Sequence, residues 1–171
     1  MKKIVLNILV LLIVFSYQGV ANSEEKKINK SDTELNLYTG QFDFSDHKQS
    51  AGLIGLQHQT DDLFRDSFLG KLSPITGGFL TENNAVYVYT GAQAEYNLGI
   101  IKFTPSFAPG YYSSGDGKDL GSALEFKSEV QMSLNLSDST EFGMSYNHIS
   151  NASIGDKNPG ANSYMFNYIK K

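Results

Sequence analysis

With 171 residues, a net charge of −4 and no cysteine, the chain is too short for two comfortable domains and must hold together without disulfides. Its 14 Lys and Arg residues are scattered rather than gathered in a stripe, which argues against a nucleic-acid surface. Gly, Tyr and Phe are abundant, Trp is absent, and beyond the N-terminal region no stretch approaches the roughly 20 apolar residues of a helical membrane span. Membrane strands would escape that scan.

In chain order, Met1-Lys2-Lys3 leads into a mostly apolar run from Ile4 to Phe15, then Gly19-Val20-Ala21-Asn22-Ser23 and the charged Glu24-Glu25-Lys26-Lys27. The pattern predicts a signal peptide over 1–23, cleaved near Ala21 or Ser23, followed by one domain over 24–171. Glu24 to Ser31 is expected to be a leader or loosely attached arm. From there, period-two runs broken by Gly, Asn, Asp and Ser predict strands at Glu34 to Phe44, Ala51 to Gln59, Gly70 to Phe79 and Asn84 to Tyr96. Four more follow at Gly99 to Tyr112, Leu120 to Leu136, Thr140 to Ser150 and Asn162 to Ile169.

The clearest run sets Leu124, Phe126, Ser128, Val130, Met132, Leu134 and Leu136 against Glu125, Lys127, Glu129, Gln131, Ser133 and Asn135. Alternation of this kind suits a soluble sandwich with its oily face inside, or a membrane barrel with its oily face outside. An even count favours closure, which removes exposed edges, so the expected fold is all-β: an eight-stranded antiparallel barrel, either soluble or transmembrane of outer-membrane type. Short inner turns are expected at Asn97-Leu98 and Ser137-Asp138-Ser139, with longer outer loops at Ser113 to Asp119 and Asn151 to Ala161. Thr60 to Leu69 is too long for an inner turn, and Asp61 to Phe68 carries a short helical spacing. The ending Tyr168-Ile169-Lys170-Lys171 departs from the terminal aromatic residue common in outer-membrane barrels.

Phe142, Met144, Tyr146, His148 and Ser150 fall on one side of a strand, so an imidazole and a hydroxyl share the apolar face. Two residues along a strand separate Cα atoms by about 6.5–7 Å, within reach of a base and a nucleophile. Asn151 to Gly160 is rich in turn-forming residues. Asp116 and Asp119 offer too few ligands for calcium, and His47, His58 and His148 lie in separate elements, so no metal is assigned. Glu125, Lys127 and Glu129 are expected to belong to a lumenal polar network or a solvated face.

Three features resemble the lipid A 3-O-deacylase (PagL) family: the exported eight-strand pattern, Gly115-Asp116-Gly117-Lys118-Asp119-Leu120-Gly121 with Leu124-Glu125-Phe126, and His148-Ile149-Ser150-Asn151-Ala152. The likeness spans nearly all of the mature chain and is strongest from Gly110 to Tyr164. It implies an outer-membrane barrel in a Gram-negative cell that hydrolyses the ester-linked 3-hydroxyacyl chain at position 3 of lipid A, without metal or cofactor. By the same resemblance Ser150 is the nucleophile, His148 the general base, and Asn151 and Asn158 the oxyanion donors. The family's orienting glutamate is replaced here by Asn162, which orients a ring without bringing full charge. Asp156 is a less favoured source of a carboxylate, because Asn162 shares the parity of Tyr164, Phe166 and Tyr168. The rival readings are a noncatalytic small outer-membrane barrel and a soluble periplasmic barrel carrying an apolar molecule. A homodimer is left open.

Overall fold

The computed structural model describes residues 33–46, 48–60, 65–67 and 70–171; the expected signal peptide and His47 lie outside them. The described residues form nine strands: β1 (Glu34–Phe42), β2 (Ala51–Gln59), β3 (Arg65–Ser67), β4 (Gly70–Thr81), β5 (Val86–Leu98), β6 (Ile101–Ser113), β7 (Leu124–Ser137), β8 (Thr140–Ser150) and β9 (Ala161–Lys170). Neighbours pair antiparallel around the sheet, and β1–β9 together with β2–β4 closes eight of them into a barrel. Closure satisfies the backbone groups that an open sheet would leave unpaired at its edges, a condition for crossing lipid.

The ninth strand accounts for the overlong inner connection. β2 pairs with β4 as far as Gln59↔Ile75, and β3 then takes up the same edge at Arg65↔Leu72. Arg65–Ser67 therefore prolongs the pairing along β4, and is extended where a helical turn was expected. The reason is the free edge of Gly70–Leu72, whose backbone groups gain partners only from an extended segment. The inner turn expected at Asn97-Leu98 lies two residues later, because Gly99 (φ +69°) accepts the left-handed conformation that a tight reversal needs.

Burial decides between the two readings of the alternation. Lys127 and Glu129 of β7 are buried, whereas Val130, Met132, Leu134 and Leu136 are exposed. The same inversion recurs in β1, with Leu35 and Leu37 outside, and in β9, with Phe166 and Tyr168 outside. A polar interior inside an apolar belt is stable only when lipid covers the belt. The soluble-barrel reading, which needs the apolar face of β7 inside, is thereby overturned.

The lumen is filled in two layers. Towards the end carrying connections 43–50, 82–85, 114–123 and 151–160, Phe42 packs against Phe79 at 5.6 Å and Tyr112 at 6.1 Å, and Tyr87 against Tyr89 at 5.4 Å. Gly55 makes room for this layer, since a Cβ there would stand 2.3 Å from the Tyr38 ring. Towards the other end, Asn36 donates to Gln131 (3.1 Å) and Asn167 (3.0 Å), and Lys102 bridges Glu34 (3.1 Å) and Glu141 (3.0 Å).

Candidate active site

His148 and Ser150 occupy the last turns of side-chain alternation in β8, on the outward side with the exposed Phe142, Met144 and Tyr146. His148 is exposed and Ser150 half-buried. Strand register sets Asn162 directly across from His148, and the Nδ1 of His148 lies 2.8 Å from the Asn162 Oδ1. The Tyr146 hydroxyl donates to that same oxygen, also at 2.8 Å. Asp156 remains exposed in the connection, so Asn162 is the residue that holds the ring. Ser150 stands across from Phe126, beyond the last β8–β9 pair.

The outer connection 151–160 is clasped rather than loose. Asn151 is fully buried, and its Nδ2 donates to the carbonyls of Leu120 (2.7 Å) and Lys157 (2.8 Å). Both amide hydrogens are thus committed, which corrects the expectation that Asn151 donates to an oxyanion: it ties two loops together. Its backbone N–H donates to the Asn158 Oδ1 at 3.1 Å, which fixes the exposed Asn158 amide and leaves Nδ2 as the donor. Ala152 and Ser153 both have positive φ, and the Ile154 N–H donates to the Asn151 carbonyl at 3.0 Å, a type I′ reversal.

The motif Gly115 to Gly121 serves as scaffold beside the site. Lys118 bridges Asp43 at 2.6 Å and Asp119 bridges Lys157 at 2.8 Å. The hydrogen bond from Lys157, with another from the Gly121 N–H, holds the Asp119 carboxyl below its usual range. Asp116 accepts from Asn84 at 3.2 Å. Among the described residues no group of three or more metal-ligating side chains gathers.

Three further residues shape the site without a local signal in the sequence. Gly160 (φ +61°) faces the imidazole, and a Cβ there would stand 2.8 Å from its Cε1. Asp43 is buried, with φ +49°, and its Oδ1 accepts from the Asn162 N–H at 3.3 Å and the Ser45 hydroxyl at 3.2 Å. The Asn162 Nδ2 in turn donates to Ser45 Oγ at 3.3 Å. Asp tolerates the left-handed region better than most residues, but nothing in Asp43-Phe44-Ser45 alone points to β9.

A search of curated proteins finds no match to the chain. Among solved structures, one titled "Crystal structure of the outer membrane enzyme PagL" aligns with TM-score 0.62 at 20% identity, covering 81% of this chain and 99% of that one. Another, titled "De novo design of transmembrane beta-barrels", aligns with TM-score 0.51 at 7% identity, covering 80% of this chain and 93% of that one. At such identities these likenesses speak for the fold. The family model described as "Lipid A 3-O-deacylase (PagL)" matches residues 15–171, and the chain belongs to that family.

Proposed function

We propose that this barrel removes the 3-hydroxyacyl chain ester-linked at position 3 of lipid A, with Ser150 as nucleophile, His148 as general base and Asn162 as its orienting partner. The observation that carries the reading is the 2.8 Å contact from His148 Nδ1 to Asn162, which leaves the other ring nitrogen to serve the hydroxyl two residues along the same outward face. Ser150 attacks the ester carbonyl as His148 takes its proton. The tetrahedral oxyanion is met by Asn158 Nδ2, a contact whose loss costs on the order of 3 kcal/mol. Collapse expels the sugar 3-oxygen, which regains the proton from His148. Water then attacks the acyl enzyme and releases a 3-hydroxy fatty acid.

The location suits this substrate. A lipid A ester sits near headgroup level with its acyl chains below, and Ser150 ends β8 at the rim above an apolar outer face. Phe126 and Phe107 stack at 6.0 Å beside the serine, and Val130 and Met132 continue that surface along the barrel. An acyl chain has a greasy track there, and a soluble ester would not need one.

Incubating the purified protein with lipid A in detergent and weighing the products gives the test. Loss of one 3-hydroxyacyl chain is expected from the native protein and not from Ser150→Ala, which keeps its fold. Equal product from both removes Ser150 from the mechanism; no product from either leaves the noncatalytic barrel. The reading includes export through residues 1–23 as a cleaved signal peptide. A homodimer is a separate matter for cross-linking in vesicles, since every group named belongs to one barrel.

A further inference from the structure

The geometry points to Asp43 as the carboxylate behind this site, a positioning residue that acts on His148 through Ser45 and Asn162. The inference rests on the serine–histidine reading above and adds the charge that Asn162 lacks.

The polarity of the chain follows from what each group can do. A carboxylate only accepts hydrogen bonds, and Asp43 is paired with Lys118 through Oδ2 at 2.6 Å, leaving Oδ1 for Ser45 and the Asn162 backbone. Ser45 must therefore give its single hydrogen to Asp43, and meets Asn162 as an acceptor. That turns the amide nitrogen of Asn162 towards Ser45, at 3.3 Å, and its oxygen towards His148 and Tyr146. An amide oxygen facing Nδ1 requires the proton on Nδ1. The base nitrogen Nε2 is then left with its lone pair, the form a general base must have.

All donors in the series His148–Asn162–Ser45–Asp43 point the same way, so each bond polarises the next and the arrangement strengthens as the imidazole takes the serine proton. Aromatic rings border the series: Phe44 packs at 6.3 Å from Tyr146 and 5.4 Å from Tyr164, the cross-strand pair next to His148 and Asn162. The backbone ties the two ends together, because the Phe44 N–H donates to the Asn162 carbonyl at 3.0 Å. Lys118 tempers the field and holds the carboxylate in place, with Asp46 a further 3.8 Å from its ammonium.

Two variants interrupt the series with little demand on the backbone. Asp43→Asn keeps a residue that tolerates positive φ, and Ser45→Ala changes no charge. Each is expected to lower kcat by about tenfold with KM unchanged, the scale of one charge-assisted hydrogen bond. In the Asn162→Glu background, which restores a carboxylate beside the ring and is expected to raise kcat, Asp43→Asn should change kcat by less than about twofold.

A second readout needs no turnover. In protein labelled with nitrogen-15 histidine, with the His148 signals assigned by His148→Gln, the native ring should be protonated at Nδ1. Both variants should shift it towards the Nε2–H form. Native-like kcat and an unchanged tautomer in Ser45→Ala would overturn the inference while leaving Ser150 and His148 in their roles. Absence of product from native protein would overturn the functional reading, and the tautomer would still decide the relay. A full loss from Asp43→Asn in the Asn162→Glu background would make Asp43 a structural residue only.

Discussion

The barrel gathers charge at both ends, but in two different manners. At the inner end Lys102 lies inside the lumen among Glu34, Glu95 and Glu141, with Lys171 adding a second cation on Glu34 and Glu141. These charges compensate one another and point at nothing beyond the barrel. At the outer end the Asp43–Lys118 pair is equally internal, yet one carboxylate oxygen is turned through Ser45 and Asn162 to a histidine on the outside wall. The first cluster closes the cylinder, and the second connects its interior to the membrane. What distinguishes a structural cluster from a functional one here is an outward end.

The comparison predicts where substitutions will act on stability and where on chemistry. Lys102→Met, which leaves buried carboxylates without their cation, is expected to cost about 3–5 kcal/mol of stability, read from the urea midpoint of folding in lipid vesicles. Lipid A turnover of the molecules that remain folded should be native. Gly160→Ala should do the reverse. The added methyl meets the imidazole and a left-handed backbone, so turnover is expected to fall at least about tenfold while the barrel's urea midpoint moves by no more than the ~1 kcal/mol of one strained residue.

The smallest effect belongs to the solvated bridge between the loops. Asp119 is lowered in the folded chain, so its contribution is present above about pH 4 and is lost as the pH falls through the lowered value. Both partners are exposed, and salt screens them. Asp119→Asn should therefore leave turnover native and quicken amide exchange in 151–160 only slightly, an effect that high salt reproduces. A large loss of activity would make the loop bridge part of the site and blur the distinction between the two ends.

Much of this architecture was legible because strand alternation is a local property. Ala51 to Gln59 and Thr140 to Ser150 are found at the expected bounds, and the parity that set Asn162 with Tyr164 and Phe166 holds in β9. The failures are equally instructive. Asp61 to Phe68 carried a helical spacing, and the free edge of β4 drew Arg65–Ser67 into a strand instead. Asn151 matched a donor by resemblance, but whether an amide is free depends on what surrounds it, here two carbonyls from Leu120 and Lys157.

The sequence by itself determined a cysteine-free chain of alternating strands, even in number around the barrel, with a histidine and a serine on one apolar face. Period two is written into neighbouring residues, so no distant contact is needed to read it. Only the tertiary structure decided which face meets lipid, because an oily stripe is the same whether a core or a bilayer covers it. It also brought Asp43 to Asn162 across 119 residues, by closing β1 against β9. Ring closure makes neighbours of the first and last described strands, and no periodicity along either records that meeting.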